Sequence, residues 1–225
     1  MTSEPKRPPR PSPDMPESIP VDLLERYGAR LVRFDRDAVV FDQGDPAGHF
    51  FQVATGRVQM VVTSERGRAF TQGYFDAGQS FGEPPLFSGT AYPASAVAVE
   101  ESTVWKCPGA AFFRLLAEHA DVHLAVTRSL ARRLVYKSMM LAELAVEEAQ
   151  HRLVALIRYF RVSSGAPADR AWRVPYTRQQ LADMTGLRVE TVIRTIRAME
   201  EKGLLRIQAG RILWDPAREP ELLDE

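Results

Sequence analysis

The spacing of the apolar side chains changes near residue 108, and this change constrains the fold more than any other feature of the chain. Between residues 31 and 62 large apolar residues alternate with polar ones, as they do in half-buried strands. Those apolar residues are Leu31, Val39, Phe41, Phe51, Val53, Val58, Met60 and Val62. After Pro108 the apolar residues instead recur every three or four positions, which is typical of amphipathic helices. We therefore expect an α+β fold in which a β-rich half precedes a helical half.

Glycine-containing turns separate the alternating runs at short intervals. They are Gln43-Gly44-Asp45, Thr55-Gly56-Arg57, Arg66-Gly67-Arg68, Ala77-Gly78-Gln79 and Ser88-Gly89-Thr90. Many short strands with close turns favour a roll or barrel. The sequence predicts an N-terminal antiparallel β-roll, similar to a jelly roll or double-stranded β-helix, over residues 19–120.

A long helix is predicted over residues 121–147, which contain no proline or glycine. Along one face, apolar and small residues alternate spacings of three and four, which indicates a seam between two helices. The seam residues are Leu124, Thr127, Ala131, Leu134, Ser138 and Leu141. We expect this dimerisation helix to join a homodimer, because small side chains in the seam allow close approach. The alternative is a helix that packs only on its own β-roll.

The ends of the chain differ in composition. Residues 1–18 contain six prolines and almost no large apolar side chains, so we expect a disordered tail. Residues 148–225 remain as a C-terminal domain, which begins with a helix over about 148–163.

The overall composition excludes several classes of protein. No apolar run approaches the roughly 20 residues that span a bilayer, and no secretory signal is present, so we expect a cytoplasmic protein without a membrane partner. The single cysteine, Cys107, excludes an internal disulfide and an all-cysteine metal cluster, and we expect it to be a buried strand residue. No phosphate-binding loop, metalloprotease motif or nucleophile elbow occurs. We therefore predict no catalytic residues, no metal site and no cofactor.

A helix-turn-helix is predicted in the C-terminal domain. Thr177 and Gln180 have the spacing of a capping box, which opens a short helix. Gly186 then turns the chain into a second helix over about 188–202. Gly203 ends that helix, and residues 204–214 read as a β-hairpin, the wing of a winged helix-turn-helix.

The charge of this region favours double-stranded DNA as the partner. The whole chain has a formal net charge of zero, but residues 170–211 contain nine basic and four acidic residues, a net charge of +5. Side chains at the start of a docked helix read bases in the major groove. Glu190 can accept a hydrogen bond from cytosine, and Arg194, on the same helix face, can donate two to guanine. The alternative is an ordinary ion pair between these two residues, and the two interpretations are compatible.

Further side chains are candidates for DNA contacts. Arg188 and Thr191 lie beside Glu190 and are added to the candidate base contacts, although Arg188 also suits phosphates. The candidate phosphate contacts, which supply affinity rather than specificity, are Thr177, Arg178, Gln179 and Arg197.

The chain resembles the CRP/FNR superfamily of bacterial transcription regulators over about residues 29–214. The β-roll resemblance lies in Gly44-Asp45, Phe50-Phe51-Gln52-Val53, Gly56-Arg57-Val58, Gly78 and Phe81-Gly82-Glu83. The more specific C-terminal resemblance lies in Thr177-Arg178-Gln179-Gln180-Leu181-Ala182 and Gly186-Leu187-Arg188-Val189-Glu190-Thr191-Val192-Ile193-Arg194.

The resemblance implies a sensor β-roll, a homodimer joined through the long helix, a two-fold symmetric DNA site and, for an activator, contact with RNA polymerase. Val189 stands where members of the cyclic-AMP type carry an arginine, which favours the anaerobic-regulator pattern and a half-site containing TTG. Ile193 departs from that pattern, where a serine is usual.

The resemblance also implies an effector pocket between the roll and the long helix. Cyclic-nucleotide binders carry Gly-Glu and, about ten residues later, an Arg-Ser pair that neutralises the phosphate. Proline at that place supplies neither a charge nor an N–H, so we expect a regulator that works without cyclic AMP. Two alternatives remain open: the protein needs no effector, or a cyclic nucleotide or other small ligand must bind first. The candidate pocket residues are Gly82, Glu83, Pro93, Ala94, Ser95 and Lys137.

Overall fold

The computed structural model describes residues 18–63, 69–145, 148–167 and 170–215. The predicted tail, apart from Ser18, and the predicted turn at 66–68 lie outside these residues, as do the side chains of 139–145 and 163.

The N-terminal half is an antiparallel β-roll, as the sequence predicts. A short helix, α1 (Val21–Arg26), precedes two four-stranded sheets with strand orders β1-β8-β3-β6 and β2-β7-β4-β5. The strands are β1 (Arg30–Phe34), β2 (Val39–Phe41), β3 (His49–Thr55), β4 (Arg57–Thr63), β5 (Ala69–Asp76), β6 (Ser80–Phe81), β7 (Ser95–Ala98) and β8 (Ser102–Pro108). A short helix, α2 (Glu83–Ser88), follows β6.

The core of the roll is aromatic. Phe51 stacks on Phe81 with 5.1 Å between ring centroids, and Phe41 stacks on Tyr92 at 3.7 Å. These four side chains are buried, and such rings contribute much of the apolar surface removed from water.

Two of the alternating residues are not core residues. Leu31 is 52% exposed and Val39 is 47% exposed. Both lie on strands at the edges of their sheets, β1 and β2, where only one neighbouring strand covers the side chains. The period of two therefore identifies the strands correctly but overestimates the burial of these edge residues.

Cys107 is a buried residue of β8, as expected. Burial raises the pKa of its thiol to about 11, so the unreactive thiol form persists at neutral pH.

Three helices follow the roll: α3 (Gly109–Glu118), α4 (Ala120–Ala145) and α5 (Ala149–Ser163). Phe112 of α3 stacks on Phe50 of the roll at 4.3 Å. The helix α4 is the predicted long helix. Its residues Val122 and Val126 are buried against the roll and α3, so one face of α4 does pack on its own domain.

The predicted seam lies on a different face of α4. Leu124, Thr127, Ala131, Leu134 and Ser138 are all exposed, and Leu134 is 67% exposed. The side chain of Leu141 lies outside the described part of the chain. Packing of α4 on its own roll therefore leaves the seam uncovered.

The C-terminal domain is a winged helix-turn-helix, again as predicted. It comprises α6 (Arg178–Thr185), α7 (Val189–Glu201) and a three-stranded sheet of order β10-β11-β9. Its strands are β9 (Trp172–Arg173), β10 (Leu205–Gln208) and β11 (Arg211–Trp214). The two-residue strand β9 is too short to give a periodic signal in the sequence.

Within the described ranges, no helix has the length and apolar character needed to cross a membrane.

We expect three glycine-to-alanine changes to have graded effects on the free energy of unfolding. At Gly56, where φ is +80°, a Cβ atom would overlap the Ser102 side chain and lie 2.5 Å from the Glu101 carbonyl oxygen. Gly56→Ala should therefore cost about 2–4 kcal/mol. Gly210→Ala has open space but a φ of +74°, and should cost about 1 kcal/mol. Urea denaturation followed by circular dichroism measures both.

Gly48→Ala is the matched control for the glycine series. A Cβ atom at Gly48 meets nothing within 4 Å, and its backbone is not left-handed, so we expect a change of at most about 0.5 kcal/mol. A loss at Gly56 no larger than the loss at Gly48 would contradict the close approach of the two turns.

Candidate nucleic-acid interface and effector cavity

The second helix of the helix-turn-helix, α7, has an apolar face buried in the domain core and a polar face on the opposite side. Val192, Ile196 and Met199 are at most 1% exposed and fix α7 on the domain core. The turn before α7 depends on Gly186, whose φ of +68° is readily adopted only by glycine. Arg188 is the N-cap residue of α7, and its side chain forms no capping hydrogen bond.

The candidate base-contact residues lie on this polar face. Glu190, Arg194 and Arg188 are exposed, and Thr191 is half-buried. Across the described parts of the chain, no ion pair forms between Glu190 and Arg194. Both side chains are therefore available to groups outside the protein.

The candidate phosphate contacts differ in their surroundings. The Thr177 hydroxyl accepts a hydrogen bond from the Gln180 N–H at 3.2 Å, which completes the predicted capping box. The Gln179 amide donates to Asp183 at 2.8 Å, and the Arg178 guanidinium donates to the Gly210 carbonyl in the wing. Arg178, which is half-buried, thus has a structural role in addition to its candidate phosphate contact.

Arg197, the fourth candidate phosphate contact, is exposed on α7. It lies on the same helix as the candidate base contacts, so one rigid element carries both sets.

A second contact that fixes the wing was missed by the sequence analysis. The Glu200 carboxylate, at the end of α7, accepts a hydrogen bond from the Ile207 N–H at 2.7 Å. Glu200 therefore ties the first strand of the wing to the second helix. No spacing signal marks this pair, because the turn at Gly203 brings the two residues together.

A cavity of about 480 Å³ lies between the β-roll, α4, α5 and the segment that precedes α6. Four of the candidate pocket residues line it: Gly82, Glu83, Pro93 and Lys137. A volume of this size accommodates a small organic ligand.

The other two candidate pocket residues lie elsewhere. Ala94 is fully buried in the core of the roll. The Ser95 hydroxyl accepts a hydrogen bond from the Gln43 N–H at 2.9 Å, beside Asp42. Neither Ala94 nor Ser95 is among the residues that line this cavity.

Arg133 is a cavity residue that the sequence analysis missed. Its guanidinium donates to the Ser80 carbonyl at 2.6 Å, and lies 3.5 Å from a carboxylate oxygen of Glu83. Glu83 is only 1% exposed and also accepts a hydrogen bond from the Ser80 hydroxyl. The charged partner of the buried carboxylate thus comes from α4 and not from the roll.

An aromatic cluster forms the far wall of the cavity and joins the two domains. Tyr136 of α4 stacks on Tyr159 of α5 with 3.5 Å between ring centroids, and the ring centroids of Phe160 and Tyr176 are 4.4 Å apart. The rings of Tyr74, in β5, and Tyr176 have centroids 6.1 Å apart. Tyr176 lies directly before Thr177, the N-cap residue of the first helix of the helix-turn-helix. Burial raises the pKa of Tyr74, Tyr136 and Tyr176, so all three phenols are neutral at physiological pH.

We expect Glu200→Ala to destabilise the C-terminal domain by about 1–2 kcal/mol, because the Ile207 N–H loses a charged acceptor. Urea denaturation gives the free energy of unfolding. The matched control is Glu201→Ala, which removes the same charge from the next, exposed position and should change stability by at most about 0.5 kcal/mol. Equal effects of the two changes would show that the wing does not depend on Glu200.

Two family profiles match the chain. Residues 31–119 match the cyclic nucleotide-binding domain, and residues 151–218 match the Crp-like helix-turn-helix domain. The structure is similar to that of FixK2 from Bradyrhizobium japonicum, with a TM-score of 0.71, 22% identity, and coverage of 86% of this chain and 96% of that chain.

Curated relatives match over most of their length. The chain is 26% identical to the global nitrogen regulator of Synechocystis, over 84% of this chain and 88% of the relative. It is 30% identical to the cyclic AMP receptor protein of Thermus thermophilus, over 91% of each chain. With both domains and this relative matched, the chain belongs to the CRP/FNR family of transcription regulators.

Proposed function

We propose that this regulator binds a two-fold symmetric DNA site as a homodimer and reads each half-site with α7. The observation that carries this proposal is the polar face of α7, where Glu190 and Arg194 are exposed and do not pair with each other. Two such helices related by a dimer axis would enter the major groove about one helical turn apart. A DNA target implies a cytoplasmic protein.

The chemistry of the α7 face favours a G·C pair in each half-site. A carboxylate can accept only from a base amino group such as that of cytosine, whereas a guanidinium forks onto guanine. Arg188 and Thr191 lie close enough in sequence to contribute to the same readout. Val189 stands where members of the cyclic-AMP type carry an arginine, and this difference supports a half-site that contains TTG.

The phosphate contacts would supply affinity without specificity. Arg197 is exposed beside the readout face, and the exposed Thr177 and Gln179 lie at the start of α6. Helix N-termini attract phosphates because their N–H groups lack helical partners. Arg178 would act partly through the wing, whose turn it holds.

The exposed seam of α4 supports a homodimer. The exposed apolar residues Leu124 and Leu134 lie on the seam face, and Val135 extends the patch. A symmetric contact between two α4 helices would remove these side chains from water.

The regulator is proposed to work without cyclic AMP. Pro93 lines the cavity where a phosphate-binding arginine would be needed, and proline supplies no positive charge. Two alternatives remain: the protein needs no effector, or it responds to another small ligand. The cavity favours the second alternative.

RNA polymerase is proposed as a further partner where the protein acts as an activator. This proposal follows from the family, in which the DNA-bound dimer contacts the polymerase.

In-vitro selection of DNA sites by the purified, ligand-free protein tests the proposal. We expect enrichment of a palindrome with TTG-like half-sites. Failure to enrich any sequence, both alone and with candidate small ligands, would overturn sequence-specific binding.

We expect Glu190→Ala and Arg194→Ala each to reduce discrimination at one base pair of the half-site by about 1–3 kcal/mol, because each removes a base contact. The measurement is the ratio of the affinities for the selected site and for a site changed at that pair. Arg197→Ala is the matched control: it should weaken both affinities alike and lower their salt dependence. A uniform loss for all three variants would contradict the readout roles.

We expect Leu134→Asp to convert the dimer to a monomer, because it places a charge in an apolar seam. Analytical ultracentrifugation measures the oligomeric state. Arg132→Asp is the control, since Arg132 is exposed on a different face of α4 and should keep the dimer. A stable Leu134→Asp dimer would show that the seam is placed wrongly.

A further inference from the structure

The charges that face the cavity do not balance. Among the described residues, three charged side chains line it: Glu83, Arg133 and Lys137. Glu83 and Arg133 form one ion pair at 3.5 Å, and Arg133 also donates to the Ser80 carbonyl. The cavity therefore retains one positive charge.

That positive charge belongs to Lys137. Throughout the described residues, no carboxylate forms an ion pair with Lys137. Lys137 is exposed, and partial desolvation and the nearby charge of Arg133 lower its pKa. Among the described residues no carboxylate compensates its charge. A bound anion beside the ammonium would provide that compensation.

The rest of the cavity wall is mostly apolar. Phe75, Phe81 and Tyr92 come from the roll, and Tyr136, Tyr159 and Tyr176 come from the far side. Aromatic walls favour a flat or aliphatic body over a sugar or a chain of phosphates, whose many polar groups would lose their hydration here.

We infer that the cavity binds an organic monoacid whose carboxylate pairs with Lys137 and whose aromatic or aliphatic body fills the space up to the Tyr136–Tyr159 pair. This ligand class rests on the ligand-responsive form of the proposed function. Its anion site lies on α4, whereas Pro93, where the family resemblance expects a phosphate-binding arginine, belongs to the roll. Within the described part of the cavity wall, a second negative charge would find no further free cation, since Arg133 is already engaged.

The position of the cavity gives such a ligand a route to the DNA-binding domain. Tyr176 lines the cavity and immediately precedes Thr177, the N-cap residue of α6. A body seated against Tyr176 therefore contacts the start of the helix-turn-helix directly. Ligand affinity and DNA affinity would then be thermodynamically coupled.

Isothermal titration of the full-length protein with 4-biphenylacetate tests the inference, and the neutral 4-biphenylacetamide and cyclic AMP serve as comparison ligands. We expect the acid to bind at least about tenfold more tightly than the amide, and cyclic AMP to bind more weakly than the acid. Equal affinities for acid and amide, tighter binding of cyclic AMP, or no binding of the acid would each overturn the proposal.

Substitutions locate the site. Lys137→Gln should reduce the affinity for the acid to that for the amide. Lys137→Arg keeps the positive charge and should keep the preference for the acid. Arg132→Gln removes one positive charge from a neighbouring exposed position that does not line the cavity, so it should leave binding unchanged. Loss of binding in Arg132→Gln equal to that in Lys137→Gln would indicate a general charge effect and would contradict the site.

A cavity-filling variant tests the site without altering charge. Gly73 lines the cavity, and a Cβ atom there meets nothing within 4 Å. Gly73→Leu should therefore weaken acid and amide together by about tenfold or more, and unchanged binding would place the ligand elsewhere. DNA binding by the ligand-free protein is measured separately, so a failure of the ligand class is distinguishable from a failure of DNA recognition.

Discussion

The guanidinium of Arg133 joins the long helix to the β-roll. It donates to the Ser80 carbonyl at 2.6 Å, faces Glu83 at 3.5 Å and lies 5.1 Å from the centre of the Phe75 ring. A carboxylate as buried as Glu83 is costly to desolvate unless charged and hydrogen-bonded partners surround it. The contact therefore fixes α4 in one position on the roll, and the cavity, the exposed seam and the start of α5 all depend on that position.

Once α4 is fixed, its side chains meet different surroundings, and Leu134 both lines the cavity and lies on the seam face. Val122 and Val126 pack on the roll side, Tyr136 stacks on α5, and Leu134 remains exposed on the seam face. The cavity lies between the first two of these contacts, so its walls belong to both domains. Tyr176, which lines the cavity, is adjacent in sequence to Thr177, the N-cap residue of the helix-turn-helix.

The winged helix-turn-helix separates side chains that hold the domain together from those left for a partner. Arg178 and Glu200 are engaged with the backbone of the wing. Glu190 and Arg194 lie exposed on α7, whose apolar side is buried. Charge alone does not distinguish these groups, because an arginine such as Arg178 becomes a structural donor when a backbone carbonyl comes within reach of its guanidinium.

The sequence by itself determined the elements whose signals are local. Period-two and helical spacings, the capping box at Thr177 and the turn at Gly186 act over a few residues, and they suffice for the β-roll, the long helix and the winged helix-turn-helix. Only the tertiary structure decided that Arg133 is the partner of Glu83, that Ser95 lies outside the cavity, and that Arg178 holds the wing. These outcomes depend on which distant groups meet after folding, and no spacing along the chain specifies such encounters.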